Sequence, residues 1–243
     1  MTTIAGKNIL ITGANRGIGQ ALLEEALRRG ARQVYAGTRE LFTHPDERVT
    51  PLLLDVTDAA QMQQAVQTVP SLDILVNNAG VALPDDLSDR AALEHHLSVN
   101  VLGIHGVTRA FLPLLIRSRG NIVNNLSIAA VAPMPIIPAY SISKAAAFSL
   151  TQAQRMLLAD QGVTVHAVLT GPTDTDMNRE YDIPKASRQS VAQAIFDGVE
   201  KEEEDIFPDP MSSQAIATDW QNSPAKTLER AFAPAPAPEL AES

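Results

Sequence analysis

Short apolar runs alternate with longer stretches of helical periodicity along nearly the whole chain. Asn8, Ile9, Leu10 and Ile11 form the first run, which ends at a cluster of glycines. Residues 18–29 then place Ile18, Ala21, Leu22, Ala26 and Leu27 at helical spacing, with Gly30 suited to the C-terminal cap. Further strands are expected at 33–38, 52–54, 74–76, 122–123 and 163–169, and a short last strand includes Ile206 and Phe207. Helices are expected at about 59–68, 90–117, 139–161 and 187–200. Apolar runs separated by helices imply parallel strands buried on both faces. Short right-handed crossovers then predict an α/β protein with a doubly wound, mostly parallel sheet of about seven strands and helices on both faces. One domain is expected over 1–231, followed by an Ala/Pro-rich tail at 232–243.

Composition narrows the function. The 243 residues hold 19 basic and 28 acidic side chains, a net charge of −9. That balance argues against a nucleic-acid partner and against attraction to an anionic membrane. There is no cysteine, so disulfides, thiolate metal sites and cysteine nucleophiles are excluded together. No secretory signal is read at the N-terminus. Residues 120–143 carry no charge, yet they include Asn121, Asn124, Asn125, Pro133, Pro135 and Pro138, which a spanning helix would not accumulate. The expectation is a soluble, cytoplasmic protein. His44, His95, His96, His105 and His166 show no ligand spacing, so no metal is expected. The acidic run 200–205, broken only by Lys201, reads as a solvated helix end.

The first strand leads into Thr12, Gly13, Ala14, Asn15, Arg16, Gly17, Ile18 and Gly19. Glycines between a strand and a helix permit a tight turn and close approach of backbone to a pyrophosphate. The helix N-terminus adds unpaired N–H groups and a positive dipole. The spacing G-x-x-x-G-x-G differs from the common dinucleotide fingerprint, and here the chain resembles the short-chain dehydrogenase/reductase family, whose single-domain branch carries T-G-x-x-x-G-x-G. The resemblance runs from about residue 7 to 208. Asn77, Asn78, Ala79 and Gly80 match the family's N-N-A-G, and Asp55-Val56 matches its adenine-contacting acidic pair. Asn100, Ser127, Tyr140 and Lys144 match its catalytic set in order and spacing. Thr170, Gly171, Pro172, Thr173, Asp174 and Thr175 match the loop after the sixth strand, which contacts nicotinamide; threonine stands at 170 where members usually have proline. The resemblance thus implies a Rossmann fold, a nicotinamide dinucleotide cofactor and a homodimer or homotetramer.

Tyr140 and Lys144 lie four apart on an expected helix and so share a face. An ammonium beside a phenol favours phenolate, which suits proton exchange with an alcohol or carbonyl oxygen. The same spacing recurs at Tyr181 and Lys185, but Pro184 lies inside it, and thirteen residues before Tyr181 stands Val168 rather than a serine. Tyr181 is read as a decoy. Ser127, after the fifth strand, can donate to a substrate oxygen. For Asn100 the role comes from the resemblance alone: a helix distortion and a water relay to Lys144. Lys144 is likewise implied to hold the nicotinamide ribose.

Thr38 ends the second strand, where NAD-using enzymes commonly place an acid, and Arg39 follows it. With Arg16 in the glycine loop, two guanidiniums favour a 2′-phosphate and hence NADP(H); Glu40 leaves NAD(H) open. The apolar segment 128–138 reads as a pocket wall for a ketone, aldehyde or secondary alcohol, or as core or interface packing, and 177–185 as a short lid. The reading is an NADP(H)-dependent carbonyl reductase or alcohol dehydrogenase. Its rivals are a catalytically silent NADP-binding regulator, which should have lost part of the Ser127, Tyr140 and Lys144 set, and an epimerase or dehydratase, which needs a longer C-terminal part.

Overall fold

The computed structural model describes residues 2–179 and 182–232. Seven strands form one sheet in the order β3-β2-β1-β4-β5-β6-β7, every pair parallel. They are β1 (Asn8–Thr12), β2 (Gln33–Thr38), β3 (Val49–Leu53), β4 (Ile74–Asn77), β5 (Asn121–Asn125), β6 (Thr164–Val168) and β7 (Asp205–Ile206). The helices are α1 (Gly17–Arg28), α2 (Ala59–Thr68), α3 (Arg90–Leu97), α4 (Gly103–Ser118), α5 (Pro138–Leu158) and α6 (Arg188–Glu200), then α7 (Pro210–Ser212), α8 (Thr218–Trp220) and α9 (Pro224–Phe232).

The continuous apolar character of the strands follows from burial on both faces. Ile9 and Ile11 of β1, with Ile74 and Val76 of β4, point to one layer with Leu22, Leu23 and Ala26 of α1 and Ile195 and Phe196 of α6. Leu10 and Leu75, between them in sequence, point to the other layer, against Met62 of α2 and Val107, Phe111 and Leu115 of α4. Alternate side chains on one strand therefore belong to different layers. The stretch Arg90–Ser118 is long and apolar enough to cross a membrane by composition. Its Val107, Phe111 and Leu115 are fully buried in that second layer.

Strand order reverses between β1 and β4, since β1 is flanked by β2 on one side and β4 on the other. In such sheets the crevice at the carboxyl ends of those strands is where ligands bind. The predicted 90–117 helix is divided. Ser98–Leu102 forms a π turn between α3 and α4, so the sequence periodicity spanned a local change of winding that it could not reveal.

The C-terminal side adds helices beyond those predicted and overturns one expectation. Residues 210–232 form α7, α8 and α9 with a π turn at Ser213–Ala217. The tail read at 232–243 lies outside the described residues beyond Phe232, as does Tyr181. The acidic run is not merely a solvated helix end. Asp205 is buried, its carboxylate 2.8 Å from Lys226 Nζ, 2.8 Å from Arg155 and bonded to the Trp220 indole N–H. Lys226, itself fully buried, also meets Glu204 at 2.7 Å and Glu229 at 3.0 Å, while Arg155 pairs with Glu229. Burial pushes the Asp205 carboxyl up, but Arg155 and Lys226 outweigh it and hold it low. These cations come from α5 and α9, far from the run in sequence, and they convert a charge cluster into a clasp.

Removing one member of a buried ion cluster leaves its partners desolvated without compensation. Lys226→Met is therefore expected to lower the unfolding free energy by about 3 kcal/mol. Urea unfolding of the two proteins checks it, and an unchanged midpoint would show that α9 contributes nothing through this clasp.

Candidate active site

Helices α2, α3 and α6 each begin on a capping side chain, Asp58, Asp89 and Ser187 respectively. Helix α1 does not. Its N-cap is Arg16, in an extended conformation and without a side-chain bond, and its first turn holds no acid. The leading N–H groups of α1 thus point toward the β1/β4 crevice with no side chain to satisfy them, the arrangement that receives an anion. The glycines make this entrance possible. Gly13 and Gly17 have φ of 68° and 55°. A Cβ on Gly19 would lie 2.0 Å from the Gly13 carbonyl oxygen and 2.5 Å from Asn78 Nδ2, so only glycine lets α1 descend this far onto the strand exit.

The segment after β4 closes on the same loop. Thr12 Oγ1 accepts the N–H groups of Asn78 (2.9 Å) and Ala79 (3.0 Å), and Asn78 Nδ2 donates to the Thr12 carbonyl at 2.9 Å. Gly80 sits against the next layer of the site: a Cβ there would meet Asn100 Oδ1 at 3.2 Å and Lys144 Nζ at 3.8 Å. Asn100 lies in the π turn and is buried. It accepts from Val81 N–H and donates to Val81 C=O, both at 2.9 Å, and it donates to Ser143 Oγ of α5 at 2.9 Å. One turn earlier, His96 Nε2 accepts from Leu83 N–H at 3.0 Å. The widened winding thus turns Asn100 inward, where it joins the β4 loop to α5.

Ser127 follows β5 and caps the short turn Ile128–Ala130, accepting from Ala129 N–H at 3.1 Å. Pro138 opens α5 at a position where its missing N–H costs no helical bond. The Asp85 carboxylate, from the β4 loop, receives the Ala139 N–H at 3.2 Å, one residue before Tyr140. Sequence periodicity missed Asp85, since nothing local links it to residue 139. Lys144 is buried and donates from Nζ to the Asn125 carbonyl at 2.9 Å. Its Nζ lies 5.6 Å from the Tyr140 ring centroid. Ser127, Tyr140 and Lys144 are thus brought together beside Gly80 and Asn100.

The electrostatics differ from the expected ammonium-driven phenolate. Burial pushes the Tyr140 phenol above its usual range, and a hydrogen bond from Ser127 opposes this; Lys144 is not among the causes. Burial also brings Lys144 down to about 8, so the neighbour assumed to hold a full charge is itself discouraged from holding one.

The remaining predicted residues lie around the same edge. Asn15, Arg16 and Arg39 are exposed, and neither arginine forms an ion pair among the described residues. Thr38 is buried, its hydroxyl donated to the Glu40 carbonyl at 2.7 Å. Ile18 is partly buried against the core. Asp55 accepts from the Thr57 N–H and hydroxyl at 2.8 and 2.7 Å, and Val56 packs under Gly103. Thr175 faces Gly17: a Cβ on that glycine would lie 3.4 Å from its methyl group. The loop carrying Gly171, Pro172 and Thr173 is closed by Ala186 N–H, which donates to the Pro172 carbonyl at 2.9 Å, and by the bridge between Thr173 and Ala186. The proposed lid at 177–185 includes residues 180 and 181, outside the described residues.

An open parallel sheet with a glycine entrance at its switch point defines the Rossmann class. Within it, residues 7–185 match the short chain dehydrogenase family, and the chain belongs to that family. It is 33% identical over 216 residues to oxidoreductase UcpA of Salmonella typhimurium, covering 80% of this chain and 82% of that protein. It is 34% identical over 196 residues to L-2,3-butanediol dehydrogenase of Corynebacterium glutamicum, covering 72% and 75%. Among solved structures, a short chain dehydrogenase from Burkholderia cenocepacia J2315 in complex with NADP superposes with a TM-score of 0.86 at 33% identity, over 96% of this chain and all (100%) of that one.

Lys144 supplies a stability test. Its ammonium is favoured in the unfolded chain, with the usual value of 10.5, and disfavoured in the fold, at about 8. The burial penalty is present in full below about pH 8 and vanishes as pH rises past about 10.5. Lys144→Met is expected to be more stable than the parent by about 1 kcal/mol at pH 7, with the gain shrinking across that window. Unfolding midpoints measured from pH 7 to 10 check the sign, and a Met variant that is less stable throughout would contradict it.

Proposed function

We propose that this oxidoreductase uses NADP(H) to interconvert a ketone or aldehyde with an alcohol, with Tyr140 as general acid and base. The observation that carries the reading is the meeting of two features on one sheet edge. The uncapped entrance of α1 offers N–H groups to a pyrophosphate, and the buried Ser127 and Lys144, with the half-buried Tyr140, lie across the same crevice. When bound, the nicotinamide supplies the hydride for reduction or accepts it in oxidation. Gly13, Gly17 and Gly19 would receive the phosphates, and Asp55 and Val56 the adenine. Asn78, Ala79, Gly80, Lys144 and the 171–175 loop would hold the nicotinamide half.

In reduction, the Tyr140 phenol gives its proton to the substrate oxygen as the carbonyl becomes an alcohol, and in oxidation it takes that proton back. The Ser127 hydroxyl, beside the phenol, would donate to the same oxygen and stabilise the charge that develops there. Lys144, whose charge is poised by burial near pH 8, is the neighbour through which the phenol exchanges its proton, with Asn100 relaying water behind it. Leu83, Val131, Ile136, Met177 and Ile183, each 41–50% exposed, stand on the loops that follow β4, β5 and β6. They support an apolar substrate, because an unpaired charge beside them would be poorly solvated. We place the enzyme in the cytoplasm on composition and, by family likeness, in a homodimer or homotetramer.

Arg16 and Arg39, exposed and without ion-pair partners among the described residues, support the 2′-phosphate. With an aryl ketone as substrate, kcat/KM is expected to favour NADPH over NADH by about tenfold or more. Thr38→Asp combined with Arg39→Leu should narrow or invert that ratio. Equal use of both cofactors by the parent enzyme would count against the assignment.

Tyr140→Phe removes the proton but keeps the ring. It is expected to bind NADPH as the parent does and to lose about 10²-fold or more in kcat. Normal turnover by the purified variant would refute the mechanism.

A further inference from the structure

Side chains at the carboxyl ends of β4, β5 and β6 are joined, to one another and to the backbone at the end of β1, in one directed series of hydrogen bonds. Thr170 Oγ1 donates to Asn125 Oδ1 at 2.8 Å, and Asn125 Nδ2 donates to Asn78 Oδ1 at 3.0 Å. Asn78 Nδ2 in turn donates to the carbonyls of Thr12 at 2.9 Å and Gly13 at 3.3 Å. Each amide in the series uses its oxygen to accept and its nitrogen to donate, so no member competes with its neighbour. Thr170 and Asn125 are buried, and the backbone carbonyl of Asn125 is the acceptor for Lys144.

A carboxylate holds the other flank of the loop. Asp209 accepts from Gly171 N–H at 2.6 Å, and also from the Ser212 N–H at 3.0 Å and the Ser212 hydroxyl at 2.7 Å. A Cβ on Gly171 would lie 2.4 Å from Asp209 Oδ1, so the loop is pressed directly onto that group. Where a proline would restrict the backbone at 170 through its ring, this chain restrains the same residue with a hydroxyl, an amide and an adjoining carboxylate. The two asparagines at 124 and 125, inside a strand buried on both faces, are the sequence signal that something polar is being organised there.

We propose that Thr170 and Asn125, backed by Asp209, are positioning residues that set the 170–175 loop in register with the glycine loop and with Lys144. A dinucleotide lying across the crevice would be held by both loops, so their separation would have to match its length. The series Thr170–Asn125–Asn78–Gly13 spans that separation, through a buried bond at Thr170 and partly buried ones beyond Asn125. Removing the Thr170 hydroxyl leaves Asn125 Oδ1 buried without a donor, and the loop loses its tie to the sheet. The consequence falls on the nicotinamide half of the ligand, because the phosphate entrance of α1 retains its own glycines. This inference rests on the NADP(H) reading above.

The test compares two ligands by titration calorimetry: NADP+ and 2′,5′-ADP, which has the adenosine half and the 2′-phosphate but no nicotinamide. Thr170→Val is expected to weaken NADP+ by about tenfold and leave 2′,5′-ADP within about twofold of the parent. Thr170→Ser, which keeps the hydroxyl, should restore parental NADP+ affinity. Asn125→Leu should show the same selective loss, and the double variant no further loss, since both changes cut one connection. Should Thr170→Val fail to fold, Asn125→Leu carries the comparison alone. Equal weakening of both ligands, or no weakening of NADP+, would overturn the positioning role. A parent protein that binds neither ligand would overturn the cofactor reading instead, and this inference with it.

Discussion

The approach of α1 to the end of β1 sets the distances on which the site depends. Gly19 stands where any side chain would strike the Gly13 carbonyl and the Asn78 amide. With that space open, the start of α1 rests on the strand exit, and Asn78 bonds to Thr12 and Gly13 beneath it. The absence of a side-chain cap on α1, when α2, α3 and α6 are capped by their own sequence, keeps its N–H groups available to a ligand. One steric constraint therefore produces a turn, a helix position and an anion-receiving surface.

Burial governs the chemistry beside it. Enclosure lowers the proton affinity of Lys144 and raises that of Tyr140, so both groups are held nearer their neutral forms than solvent would hold them. Ser127 acts against this on the phenol, and the Asn125 carbonyl fixes the lysine in place. The π turn at Ser98–Leu102 completes the enclosure by pinning Asn100 to both Val81 backbone groups and to Ser143.

Buried charge serves a different end at the far side of the sheet. There Asp205, Arg155, Lys226 and Glu229 fasten α9 to β7 and α5. The same C-terminal region supplies Asp209 to the 170–175 loop. A segment beyond the last strand thus reaches back to two elements of the site, α5 and the loop after β6.

The sequence alone carried the strand order along the chain, the helices up to α6 apart from the break inside 90–117, a mostly parallel sheet and the family, because those follow from local periodicity and short motifs whose residues are near neighbours in the chain. The bounds of β2 and α2 are as expected, at Gln33–Thr38 and Ala59–Thr68. The glycine loop was equally legible, since a turn's backbone demands act over a few residues. What the tertiary structure decided is everything that needs a partner distant in sequence. Lys226 became a buried cation only by meeting Asp205, Asp85 found the start of α5, and Asn125 joined Thr170 to Asn78. The electrostatic balance at Tyr140 was likewise out of reach, because desolvation depends on how completely the fold encloses a group, and four-residue spacing shows adjacency but not enclosure.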